Sequence, residues 1–298
     1  MKNYTKPPLT YIEQANLLLS RGLIADKNDL IKKLKAVSYY RLSGYWHPFR
    51  NPDDTFKPGT TLEEIWKRYT FDRQLRLLVI DAIERVEVSV RTQMVYHHSH
   101  RYGAFGYTNP ANLPKLSTGE FSHLIDSIEI EKRKKRNKED FLRHYCDTYQ
   151  ETYLPLWIAA EVMAFGTTLT MFKGLEQRLK QNIAVDYGIS DSVLQSWLVA
   201  LNGTRNICAH HGRLWNRELG YRPMIPRPNK HPQWHTPVRV SENRVFAILT
   251  ILRYMLKLIA PQSRWQSRLE ELFRKYPEIP LRLMGFPENW KECPIWME

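Results

Sequence analysis

Apolar positions along the chain recur at three- and four-residue steps, and no alternating run of useful length appears, so the pattern predicts helices throughout. Thr10 with Glu13 makes a capping box that opens a helix over 11–20, with Gly22 closing it, and Leu30, Ile31 and Leu34 stripe a second over about 28–37. Thr61 with Glu64 caps a long helix from Leu62 to about His98. In it Ile65, Tyr69, Leu75, Leu78, Val79, Ile83 and Val86 keep helical spacing without an internal Gly or Pro. Ser117 with Glu120 caps the next, over 121–131, and further helices are expected over 141–152, 155–165, 169–175 and 176–187. Gly166, Thr167 and Thr168 are read as the break between two of these, a point of close helix packing rather than a phosphate loop.

Val193, Leu194, Trp197, Leu198 and Leu201 then stripe a helix that starts after Ser190 or Asp191 and runs to His211. Pro223, Pro226, Pro228, Pro232 and Pro237 forbid regular structure through Val238 and leave a long loop to flank that helix. Apolar helices over 241–260 and about 262–276 follow, and a Pro-spaced tail with Trp290 and Trp296 is expected to pack back on the body. The fold class this predicts is all-α: a helical bundle around 191–211 with an attached N-terminal helical lobe. The lobe is assigned to 1–110 and the bundle to 111–298, because 298 residues exceed the usual single-core size.

Composition adds a partner class. Lys and Arg number 44 against 31 for Asp and Glu, a formal net charge of +13, which favours a polyanion such as RNA and fits an anionic membrane surface as a rival. Three widely spaced cysteines argue against a disulfide framework, and the apolar window 245–260, broken by Arg253 and Lys257, is too short to span a bilayer. The first ten residues carry no apolar signal core, so the expected setting is cytoplasmic with no membrane partner.

Candidate chemistry concentrates at the end of the 191–211 helix, where Arg205, Asn206, His210 and His211 crowd into two turns. Histidine exchanges protons near neutrality, and arginine matches a phosphate and stabilises charge developing on it. A five-residue step rotates about 140° on a regular helix. Arg205 and His210 therefore meet only if the helix distorts, if His211 substitutes, or if a second copy completes the site. A second candidate is Arg91 with His97 or His98, followed by Thr92 where Asn or Asp is preferred. Lys132, Arg133, Lys134, Lys135 and Arg136 form a basic run suited to phosphate, as does Arg213. The Tyr39, Tyr40, Tyr45, Trp46 and Phe49 cluster is read first as core and second as a base-stacking surface. Cys208 and His211 with His231 and His235 only superficially resemble zinc ligands, so no metal and no cofactor are expected.

Arg205-Asn206-Ile207-Cys208-Ala209-His210 fits the Arg-x(4–6)-His signature of HEPN-type ribonucleases. The longer string RNICAHHGRLWNR, with YYRLSGYWHPF, PLWIAAEVMAFGTTLTMFKGL and the terminal MGFPENW, resembles the bacterial abortive-infection (Abi) family, Abi-D/Abi-F-like, over nearly the whole chain. That resemblance implies a HEPN-like bundle and a metal-independent endoribonuclease acting as toxin or effector in anti-phage defence. His210 would be general acid or base, Arg205 the phosphate ligand and Asn206 their positioning partner. It also implies a homodimer, or use of the Arg91 motif, and a small noncoding RNA as restraining antitoxin. The alternative is a non-catalytic RNA-binding or partner-sensing defence protein.

Overall fold

A computed structural model of the chain describes Asn3, Thr5 and residues 7–297. Twelve α-helices and a few short 3-10 turns make up the regular structure of the described residues, so the fold is all-α. The chain divides into two compact units. One comprises Met1–Arg76 with Leu269–Ile279, the other Leu77–Arg268 with Pro280–Glu298.

In the first unit, α1 (Tyr11–Ser20) opens on the Thr10–Glu13 capping box and packs on α2 (Lys27–Val37). Ser38 then turns the chain at φ 67° and also caps α3 (Tyr39–Trp46), so the aromatic run is helical, a helix the hydropathy pattern did not reveal. Tyr45 and Trp46 are buried and Tyr40 is exposed, which splits the cluster between core and surface. Tyr45 donates to the buried Asp72 at 2.7 Å, and Asp72 pairs with Arg76, so each buried polar group is satisfied by another. Both ionisable partners lie on α4 (Leu62–Tyr102), the long capped helix, which ends four residues beyond the expected His98. Residues of the C-terminal half of α12 (Trp265–Lys275) return to this unit, where Phe273 meets Phe71 and Tyr276 accepts from Gln74.

The second unit holds the rest. α5 (Thr118–Lys135) runs four residues past the expected 131, drawing the basic run into its last turn, where cations are favoured and Glu131 pairs with Lys134 and Lys135. α6 (Asp140–Thr148) follows, then α7 (Leu156–Val162) and α8 (Phe165–Gly174). The break between the last two falls at Met163 and Ala164, both extended, and Gly166, Thr167 and Thr168 lie inside the first turns of α8. Close packing occurs at the other end of that helix. A Cβ on Gly166 would meet nothing within 4 Å, whereas one on Gly174 would come within 2.7 Å of Leu116.

α9 (Gln177–Val185), α10 (Asp191–Ala209) and α11 (Val245–Ile259) complete the core, with α10 against α8, α9 and α11. Ser190 caps α10 by accepting from Val193, and the predicted stripe from Val193 to Leu201 is buried. Lys180, nearly buried, donates to the Lys173 carbonyl at 2.6 Å and to Gln195 at 2.9 Å, tying α9 to both neighbours. The tail packs back as expected: Trp290 and Trp296 are buried, and Trp296 donates to Thr250 at 3.1 Å.

Candidate functional site

The end of α10 explains how an awkward helical step becomes usable. His210 leaves helical geometry at ψ 14°, and its N–H bonds the Asn206 carbonyl at 3.0 Å. His211 sits at φ 59°, donating to the Cys208 carbonyl at 3.0 Å, while Gly212 donates to the Ile207 carbonyl at 2.7 Å. These paired bonds are a Schellman closure, with His211 in the left-handed position that usually belongs to glycine. The chain therefore turns at the motif itself, and the regular 140° separation stops applying at about this point. Asn206, His210 and His211 are exposed, Arg205 is half-buried, and Arg205 Nη1 lies 3.4 Å from Asn206 Oδ1. Cys208 turns into the core.

The proline-rich segment does flank this helix. Met224 donates to Ser196 and accepts from Trp197 Nε1, both at 2.8 Å, and the Tyr221 ring covers Gly203, two residues before Arg205. Two tryptophans order the segment: Trp197 and Trp234 are fully buried with ring centroids 5.2 Å apart. Arg217 and Arg222 are exposed on its first turns and Arg213 is half-buried; Arg217 donates to the Arg213 carbonyl. Tyr221 and Arg222 lacked a signal in the sequence because only the fold brings the segment onto α10.

The second motif has a different environment. Arg91 donates to Glu87 at 2.7 Å and to the Ala160 carbonyl at 2.9 Å, with both side chains of the ion pair mostly buried. Burial raises the Glu87 pKa, opposed by the positive charges of Arg91 and of Arg205. Glu87 is thus the group on which the two arginine motifs converge electrostatically. Sequence reasoning passed over it, although its four-residue spacing to Arg91 is the standard helical ion-pair signature. His97 is half-exposed against Tyr96, whereas His98 is fully buried with neither ring nitrogen hydrogen-bonded, and burial lowers its pKa to about 4. His98 is therefore neutral at physiological pH and shut away from solvent.

Of the basic run, Lys132 bonds the Thr152 carbonyl, Lys134 pairs with Glu131 at 2.8 Å, Lys135 with Glu131 at 3.9 Å and Arg136 with Asp147 at 3.0 Å. Arg133 is exposed. Such surface pairs are weak enough to exchange for phosphate. Among the described residues no group of three or more His, Cys, Asp or Glu is arranged to hold a metal ion, and no helix is long and apolar enough to cross a membrane.

No curated protein and no solved structure gives a match to the chain. The family model described as Abi-like protein matches residues 32–216, more than half of the chain and inclusive of both arginine motifs, so the chain belongs to this abortive-infection family.

Proposed function

We propose that this Abi-like protein is a metal-independent endoribonuclease of the HEPN type, of the Abi-D/Abi-F-like kind, and the effector of an abortive-infection response. The observation that carries this reading is the accessible end of α10, where an arginine, an asparagine and a histidine sit together at a helix terminus with no structural task that requires all three. In the reaction, a ribose 2′-oxygen forms a bond to the adjacent phosphorus as the bond to the 5′-oxygen breaks. One base accepts the 2′ proton and one acid supplies a proton to the leaving 5′-oxygen, leaving a 2′,3′-cyclic phosphate. His210 suits either proton transfer, Arg205 the phosphate and its developing charge, and Asn206 their mutual orientation. Two proton transfers and one His210 per chain favour a homodimer with two motifs facing one scissile bond; His97, beside Arg91, is the intramolecular alternative.

The test is purified protein incubated with total RNA in EDTA. Wild type is expected to cleave and leave 2′,3′-cyclic ends, and His210→Ala to lose roughly 10²- to 10⁴-fold in rate. Equal cleavage by both, or RNA binding with cleavage by neither, overturns the reading, the latter in favour of an RNA-binding sensor. Full activity per wild-type subunit in mixed wild-type/His210→Ala dimers would overturn the shared site alone. A small noncoding RNA as restraining partner is part of the same proposal and predicts inhibition by a co-purifying RNA.

A further inference from the structure

Between the exposed face of α4 and α7 lies a cavity of about 530 Å³. Its rim carries two large aromatic side chains that the fold leaves in solvent, Tyr96 at 57% and Trp157 at 51% exposure. Tyr96 leans on the His100 ring, with centroids 4.4 Å apart. Arg91 and Ser99 also line the cavity, and Arg91 Nε and Ser99 Oγ are buried without a hydrogen-bond partner among the described residues. Buried polar atoms are normally satisfied, so two orphans at one cavity indicate a missing partner with acceptors of its own.

We propose that this cavity takes one unstacked nucleobase of single-stranded RNA, with Trp157 and Tyr96 as stacking surfaces and Arg91 and Ser99 reading the base edge. The inference rests on RNA being the substrate and adds where a base is gripped. The volume suits a base with its ribose and lies within the roughly 300–1,000 Å³ typical of small-ligand sites. An apolar side chain from a second protein copy would fill the rim but leave Arg91 Nε and Ser99 Oγ unpaired; a base edge offers carbonyl and ring-nitrogen acceptors. Aromatic stacking with little sequence demand is also how single strands are commonly held. Location supports the same occupant: Arg91 shares Glu87 with Arg205 electrostatically, so a base seated here brings its flanking phosphate toward the α10 end.

The experiment measures binding, independently of cleavage, using a fluorescein-labelled 12-nucleotide RNA with 2′-O-methyl ribose throughout and a matching set in which one abasic position is moved along the strand. For wild type, one abasic position is expected to weaken binding by roughly 5- to 150-fold, the value of one stacked base. Trp157→Ala should lose a similar factor on the intact RNA and become indifferent to that position. Thr92→Trp, which fills the cavity from its exposed side and removes no contact partner of the base, should do the same. In both variants the salt dependence should stay as in wild type because no phosphate contact is removed. A flat abasic scan in wild type that still binds RNA overturns the base pocket while leaving the nuclease reading intact. Loss of self-association in Trp157→Ala with unchanged RNA binding overturns it in favour of a contact between copies. Base-dependent binding without cleavage would leave the pocket standing and remove the nuclease.

Discussion

The arginine–histidine pairs on α4 and α10 are nearly the same in composition and opposite in environment. On α10 the helix stops at Ala209, so His210 and His211 stand in solvent on a closed turn. On α4 the helix continues to Tyr102, Arg91 is spent on Glu87 and a main-chain carbonyl, and His98 is sealed inside. A histidine useful for proton transfer must reach a substrate and change charge near neutrality, and His98 does neither. Termination of the helix, rather than the spacing of the two residues, therefore separates a candidate catalytic pair from a structural one.

The largest effect that can break this comparison is on cleavage. His210→Ala and Arg205→Ala should each lower the rate of RNA cleavage by roughly 10²-fold or more, while His98→Phe leaves it within about threefold, all scored by single-turnover gel assay. Equal losses at both sites would erase the distinction. Next comes stability. Arg91→Ala leaves the buried Glu87 carboxylate unpaired and should cost about 3 kcal/mol in urea denaturation, with Glu87→Gln restoring part of it in the double variant.

Acid response is the third measure. The His98 pKa is held at about 4 when folded, below its unfolded value near 6.5. The unfolded chain then binds more protons between these values, so this contribution is complete above pH 6.5 and is lost as pH falls toward 4. Between pH 7 and 4.5 wild type should lose on the order of 2 kcal/mol more than His98→Phe, measured by chemical denaturation at each pH. The smallest effect concerns His211, which occupies a glycine-type conformation at φ 59°. His211→Gly should raise stability by about 1 kcal/mol or less and keep cleavage, making His211 a helix terminator; lost cleavage would return it to the site.

Much of this was legible from residue order alone because helical periodicity and capping are local. The Thr10–Glu13, Thr61–Glu64 and Ser117–Glu120 signals all start helices where expected. The α3 helix was not, since an aromatic run satisfies core and surface templates equally, and Ser38 must adopt a positive φ for it to begin. The break near Gly166 was misplaced by two or three residues because glycine marks freedom of the backbone rather than an obligation to turn.

By itself the sequence determined an all-α chain, its caps, its basic balance and the Arg205–His211 cluster, each a property of neighbours within a turn or two. Only the tertiary structure decided that α12 residues join the first unit, that the proline-rich segment covers α10, and that His98 is buried while His210 is not. It also brought the Arg205 charge to bear on Glu87 and set Trp157 beside the α4 face. Burial and long-range electrostatics depend on which surfaces meet, and that is a sum over the whole chain that no local window contains.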